Sequence, residues 1–530
     1  MVNALRDVSF VKLDTGCVTV REALLKAHLP ETTLDMKVPG YEYGAVLRLL
    51  STVAAVSLRY CGFDSFKKTK KISSKLITDG IPEEALDKAL KDLEPGSFIF
   101  DDITPFMQYK WVELDDQGVI RLQKKQEKGP AAKLNPTLPS SKREEFWNLK
   151  DVRRSELSLP EAIMGILVYC NYSMAGNSAY EGRKCQSGAP AIRFVGKGNT
   201  ATEIFWQGGS LLATLLMSIP KSWVFSEELP AWADREGKTK AKTPSMEPSL
   251  WDATWSSNTV TTYWNDKKLV GVDLGGIPEN WYLPEMGSPT DKDEPRKKWW
   301  GTRNTLDPFY LYLPDDKGNP KTQRLDLSKD ATALAVEWAS KAHLKNAADG
   351  LQTNRIYGGT GKEKLCFVRH QIEGTSTSAS IRASSVYRPD SKQWVFDSSE
   401  DLQREIRNHA KIIYTLHEIV CSPFSRNEGK GKNSQKAGKT AVILDDLGHR
   451  KEDISAYFWR EIAPVYEGFV KTAKRGEREI PQELLEAAYV ATLRAYDKTV
   501  APHLSQRPGR IAYVRADLKR RLRTALFPQK

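Results

Sequence analysis

The sequence of 530 residues lacks any Cys-x-x-Cys pair. Its six cysteines, Cys17, Cys61, Cys170, Cys185, Cys366 and Cys421, are scattered. That pattern argues against a zinc ribbon or a disulfide framework and fits a reducing cytoplasm. Histidine is scarce, and the seven present show neither metal-ligand spacing nor a Ser or Cys partner motif, so no metal and no cofactor are expected. No stretch approaches the roughly 20 apolar residues that cross a bilayer, and the first residues carry no basic region followed by an apolar run. The expectation is a cytoplasmic protein with no membrane partner. No repeat of fixed period is present. What the chain does have is an ordinary globular composition, 40% hydrophobic and 28% charged, with a net charge of +12. The excess of positive charge points to an anionic partner without separating nucleic acid from other polyanions.

Local patterns divide the chain in two. A strand at 8–13 leads through Asp14-Thr15-Gly16 to Thr19, whose hydroxyl can cap a helix while Glu22 closes a capping box. A second helix is predicted over 42–60, with Val46, Leu47, Leu50, Val53 and Leu58 at helical spacing. Ser158 and Glu161 form another capping-box start for a helix that is apolar nearly all round and therefore buried. Alternating aromatic and β-branched runs predict strands at 190–195, 260–273, 309–313 and 365–381, and the Lys/Thr/Pro-rich 236–249 reads as a linker. Beyond Trp394 the pattern is helical only, with a flexible Gly/Lys/Ser segment at 425–439. The expected fold is α+β: a large mixed domain over 1–394 followed by a four-helix bundle over 395–530.

One loop stands out. After the buried helix, Gly176, Asn177, Ser178 and Ala179 form a run with almost nothing beyond Cβ, and Arg183 and Lys184 follow. Small residues let a backbone approach a ligand closely, and with cations beside them they suit the minor groove of duplex DNA. The competing reading is a plain surface turn. Lys67, Lys68, Lys70, Lys71 and Lys75 crowd a second segment, and the last helix carries Arg507, Arg510, Arg515, Lys519, Arg520, Arg521 and Arg523 against a lone Asp517. Arg515, Lys519 and Arg523 are candidates for backbone phosphates.

Catalytic patterns are weak. Gly358-Gly359-Thr360-Gly361-Lys362 lacks the first glycine and the magnesium-binding hydroxyl of a phosphate loop, and reads as a turn. Asp101-Asp102 and Asp445-Asp446 could hold metal ions for phosphodiester cleavage, but adjacent aspartates diverge on either a strand or a helix. A metal-dependent DNA-processing enzyme built on these pairs and an RNA-binding assembly subunit are the alternatives to a non-catalytic DNA-binding protein.

Several motifs in fixed order carry a resemblance. They are Pro105-Phe106-Met107-Gln108, Phe146-Trp147-Asn148, the small-residue loop with the segment beginning at Pro190, Ala379-Ser380-Ile381, and Thr499-Val500-Ala501-Pro502-His503. Together they make the sequence similar, over nearly its whole length, to the CasA family, the large subunits of type I-E CRISPR Cascade surveillance complexes. The resemblance implies a non-enzymatic ribonucleoprotein subunit of antiviral defence. Such a subunit recognises the protospacer-adjacent motif of double-stranded DNA, promotes R-loop formation and recruits a helicase-nuclease. By the same resemblance Gly176, Asn177, Ser178 and Ala179 read the minor groove, and Phe146 and Asn148 anchor the subunit to the guide RNA and its Cascade partners. Ser376, Thr377, Ser378 and Ala379 form a wedge, and Lys267 or Lys268 a lysine finger. Thr377 and Ser378 are shorter than the amide side chain that the family wedge often carries, and the reading loop is poorer in glycine, so motif preference does not transfer. The central cysteine cluster of some members is missing, which implies no zinc.

Overall fold

The computed structural model describes residues 1–30, 32–63, 68–102, 104–108, 112–114, 120–122, 129–137, 156–173, 177–180, 183–186, 189–192, 202–241, 249–276, 294, 297–299, 307–310, 312–314, 320–322, 330–341, 355–360, 363–373, 380–388, 391–394, 400–424, 444–477 and 479–528. These fall into two compact units. The first comprises Met1–Arg324 and Ala348–Arg388, and the second Leu325–Ala347 and Pro389–Lys530.

The first unit opens with a hairpin of β1 (Val11–Leu13) and β2 (Gly16–Val18), shorter than the predicted strand but with its turn where expected. Helix α1 (Val20–Leu25) follows and is capped as its sequence implies. Thr19 Oγ1 accepts from the Glu22 amide at 3.1 Å, and the Glu22 carboxylate accepts from the Thr19 amide at 2.9 Å. Helix α2 (Gly40–Leu58) is buried on nearly every side. It packs against α4 (Glu83–Asp92), which follows the lysine-rich α3 (Thr69–Asp79), and against later elements of the same unit. Short hairpin strands β3 (Val112–Leu114) and β4 (Ile120–Leu122) precede α5 (Leu159–Tyr172). The Glu161 carboxylate accepts from the amide and the hydroxyl of Ser158, closing the first turn of α5.

Beyond α5 come β5 (Asn177–Tyr180), β6 (Arg183–Gln186), β7 (Glu203–Gln207), α6 (Leu211–Ser218), β8 (Asn258–Asn265), β9 (Lys268–Gly276), β10 (Tyr312–Pro314) and β11 (Pro320–Thr322). The long strands β12 (Lys364–Glu373) and β13 (Ser380–Tyr387) complete the unit. β13, β12 and β7 make a three-stranded antiparallel sheet in that order, while β5–β6, β8–β9 and β10–β11 are separate hairpins. Two sequence expectations are corrected here. The segment 189–192 forms a buried turn, not a strand: Pro190 offers no amide to a ladder, and Ala191 donates instead to the Asn171 carbonyl at 2.9 Å. The start of the supposed linker is ordered as well. Asp234 accepts from the Lys238 and Thr239 amides at 2.9 and 2.7 Å, and Glu228 accepts from the Ala241 amide at 2.8 Å.

The second unit is helical. α8 (Glu400–Cys421), α9 (Lys451–Lys474), α10 (Gln482–Val500) and α11 (Pro508–Leu526) are the helices read from the apolar spacing, with Ile406, Ile413, Phe458, Ile462, Ala488, Leu518 and Leu522 buried between them. A fifth, α7 (Ala331–Lys341), lies before the 394/395 boundary in sequence but packs against α8 and α9. Its Ala333, Leu334, Ala335 and Val336 are all buried, so it joins the apolar surface that best covers it.

Candidate nucleic-acid interface

Asn177, Ser178 and Ala179 lie on strand β5, not in an open loop. In the ladder Asn177 faces Gln186, Ser178 faces Cys185, Ala179 faces Lys184 and Tyr180 faces Arg183. The basic pair at the start of β6 is thereby set beside the small residues, with Lys184 opposite Ala179 and Arg183 one position on, opposite Tyr180. Gly176 lies outside the described residues.

β5 and β6 both rest against β9. The turn joining β8 to β9 is Asp266-Lys267, with Asp266 in the left-handed region at φ 53°, a conformation its short polar side chain tolerates. Lys267 at the tip is exposed, and among the described residues it has no ionic partner. Lys268 pairs with Glu156 at 3.0 Å. One residue further on, Leu269 is fully buried and exchanges both backbone hydrogen bonds with Leu157 at 2.9 Å. The chain therefore passes from a solvated cation to a fixed core residue within two positions. The structure brings together the two hairpins that carry the proposed reading residues and the two candidate lysines.

The hairpin β8–β9 is held by the Pro105–Gln108 motif. Phe106 is fully buried with its ring edge-on to Trp232 at 5.9 Å, and Met107 adopts a left-handed φ of 54°. Gln108, also buried, accepts through Oε1 from Thr262 Oγ1 at 2.9 Å, and Thr262 Oγ1 accepts in turn from Trp264 Nε1 at 2.9 Å. The Cys170 thiol of α5 donates to the Met107 carbonyl at 3.0 Å, and burial pushes that thiol up to about 12, so it serves packing and not nucleophilic chemistry. Tyr263 donates to Asp273 across the hairpin at 2.6 Å, and desolvation followed by that bond raises its phenol to about 12.

Sequence reasoning missed the charge network in the core of the same unit. Arg48 Nε donates to Glu203 at 2.7 Å, and Nη1 and Nη2 donate to Asp307 at 2.9 and 3.1 Å. The guanidinium lies 4.5 Å from the Phe309 ring centroid, and the Tyr172 hydroxyl donates to Glu203 at 2.5 Å. Burial by itself would lower the basicity of Arg48, but the charges of Asp307 and Glu203 outweigh it and hold the group well above its ordinary value. The only signal in the sequence is one arginine inside an apolar helix.

The other candidates divide. The carboxylate of Asp101 accepts from the Thr104 amide at 2.5 Å, a local turn role. No group of three or more His, Cys, Asp or Glu that could hold a metal ion occurs among the described residues. On α11, Arg515 turns to α10, where Nε and Nη2 donate to the two oxygens of Asp497, both at 2.7 Å. That bidentate pair engages the guanidinium of one of the three candidate phosphate contacts. Arg523 is exposed and lies 5.9 Å from the Tyr489 ring centroid. Lys519 is exposed without an ionic partner among the described residues. Phe146, Asn148, Ser376, Thr377, Ser378 and Ala379 lie outside the described residues. The last four fall in 374–379, the connection between Glu373 and Ser380, which pair across β12 and β13.

The fold is shared with solved proteins. Thermus thermophilus CasA (Cse1) superposes with a TM-score of 0.63 at 16% identity, covering 99% of each chain. Thermobifida fusca Cse1 gives 0.64 at 14%, covering 99% of this chain and 98% of that one. A chain of a structure described as a CRISPR RNA-guided surveillance complex gives 0.66 at 15%, covering 98% and 99%. No curated protein shows significant sequence similarity. Residues 10–497 match the model of the family described as CRISPR-associated protein Cse1. With that match running through both units, the chain belongs to the Cse1 family, the CasA large subunits of type I-E CRISPR Cascade.

Proposed function

We propose that this chain is the non-catalytic Cascade subunit that recognises the protospacer-adjacent motif of target duplex DNA from the minor groove. Recognition then promotes strand separation and R-loop formation and leads to recruitment of the helicase-nuclease. The observation that carries the reading is the β5–β6 hairpin resting on β9, whose turn presents Lys267. Gly176, Asn177, Ser178 and Ala179 form the reading edge. Minor-groove readout is degenerate, so a backbone edge can accept several motifs and reject those whose exocyclic amino group would clash, while guide pairing supplies the remaining specificity. Lys267 serves as the lysine finger in preference to Lys268, whose charge is shared with Glu156. Ser376, Thr377, Ser378 and Ala379 act as the wedge at the first base pairs. Phe146 and Asn148 dock the subunit on the guide RNA and its partner subunits. The protein needs no cofactor and acts in the cytoplasm.

The test is Gly176→Asp in the assembled complex. A single well-placed contact is worth roughly 1–3 kcal/mol of discrimination, so motif-bearing duplex should bind about ten- to a hundred-fold more weakly while assembly survives. On a target already melted around the motif the defect should shrink. Equal binding of variant and parent to motif-bearing duplex would remove the claim.

A further inference from the structure

Helix α3 is fastened to the first unit by one face. Thr69, Ser73 and Leu76 are buried, Ser73 Oγ donates to the Ile356 carbonyl at 3.0 Å, and the helix packs on α6. Its end is set by Gly80 at φ +84°, where an added Cβ would meet the His28 ring. The opposite face carries Lys70, Lys71 and Lys75, all exposed and without an ionic partner among the described residues. Lys68 sits at the N-cap and makes no side-chain cap.

This arrangement opposes the helix's own electrostatics. The first turn holds no acidic residue, and the sole carboxylate of the helix is Asp79 at its far end. Cations near a helix N-terminus are disfavoured by the macrodipole, and the like charges of Lys71 and Lys75, one turn apart, repel each other. Several cations elsewhere in the same unit are paired: Lys12 with Glu42 at 2.8 Å, Arg21 with Asp87 at 2.8 Å and Lys88 with Glu84 at 2.8 Å. The three lysines of α3 form a stripe of positive charge on one helix, with no ionic partner among the described residues.

We infer that the Lys70–Lys71–Lys75 face of α3 is a second DNA-contacting surface, binding the phosphate backbone of the target duplex without reading its sequence. Charge complementarity selects a polyanion, and duplex DNA offers a charge every roughly 3.4 Å along each strand. Lysine, a point charge on a flexible stem, suits contacts that need no fixed fork geometry. The inference rests on the duplex-binding role proposed above and adds to it a surface separate from the reading hairpin.

The experiment titrates the full chain, and its Lys70→Gln/Lys71→Gln/Lys75→Gln variant, with a motif-bearing duplex and with single-stranded RNA of equal length, across salt. Glutamine matches lysine in helix propensity and relieves the repulsion along α3, so the melting temperature should hold or rise slightly. Loss of three phosphate contacts should weaken duplex binding at least tenfold. The parent should also lose about forty-fold more affinity than the variant between about 50 mM and about 200 mM salt. The all-arginine variant should bind as the parent does, which keeps the test valid should the glutamine variant fail to fold. Equal affinity and equal salt slope for parent and glutamine variant overturn the inference. A defect confined to RNA overturns it in favour of a guide-strand surface. A parent that binds no duplex at all overturns the duplex-binding role itself.

Discussion

At the scale of the residue, the adjacent Lys267 and Lys268 have different surroundings. Lys267 projects from a turn, whereas Lys268 is tied to Glu156 and borders the buried Leu269. Lys267→Ala is expected to weaken motif-bearing duplex binding several-fold with an unchanged melting temperature, and Lys268→Ala to do less. The reverse order, measured by equilibrium binding, would assign the finger to Lys268. In the core the stakes are higher. Removing Arg48 leaves Glu203 and Asp307 buried without their cation, an arrangement that costs about 3–5 kcal/mol. Arg48→Met should therefore lower stability by that amount in denaturant unfolding, and adding Glu203→Gln with Asp307→Asn should recover part of it. A triple variant no more stable than the single one would argue against charge burial as the cause. Gly44 belongs to the same site, since a Cβ there would collide with the Tyr172 hydroxyl.

At the scale of the element, α11 shows how an apparently uniform basic helix is divided. Its inner face buries Ile511, Val514, Leu518 and Leu522, and Arg515 is spent on the bidentate pair with Asp497. Half-exposed pairs of this kind contribute about 1 kcal/mol or less. Arg515→Ala should produce a small drop in melting temperature and leave DNA affinity nearly unchanged, while Lys519→Glu with Arg523→Glu should weaken all duplex sequences about equally, because phosphate contacts carry no sequence information. If Arg515→Ala proves the more damaging to binding, its pairing with Asp497 must be released on DNA.

At the scale of the whole molecule, carboxylates in both units are held below their ordinary range: Asp87 by its hydrogen bond to Arg21, Glu22 by the Thr19 amide, and Glu461 by Lys498. A depressed carboxylate contributes stability that is fully present above its unfolded value near about 4 and is lost as pH falls through the folded value. These carboxylates should make melting temperature decline below about pH 4, after a shallower loss that begins at about pH 6.5, where the buried His409, held below its ordinary value by desolvation, would charge in the unfolded chain. Glu461→Gln should flatten that decline, and an unchanged acid limb would place the sensitivity elsewhere. The intact chain should also bind duplex without cleaving it in magnesium or manganese. Robust cleavage abolished by Asp101→Ala or Asp445→Ala would revive the metal-dependent reading.

Local chemistry by itself determined the elements whose stabilising groups are close in sequence. The Thr19/Glu22 and Ser158/Glu161 boxes, the buried α5 and the four apolar stripes of the second unit are each set by residues three or four apart. The Pro105–Gln108 motif was legible as a family signature. Its physical role was not, because Trp232, Thr262 and Cys170, which it touches, come from distant parts of the chain. Only the tertiary structure decided that α7 packs with α8 and α9, that Asn177 to Tyr180 form a strand opposite Gln186 to Arg183, and that Arg515 is paired with Asp497 while Lys267 has no ionic partner among the described residues. Each depends on a partner that sequence spacing does not reveal: an apolar face to cover, a strand in register, or a carboxylate on the next helix. Burial and charge pairing are settled by which distant groups meet, and composition cannot specify that.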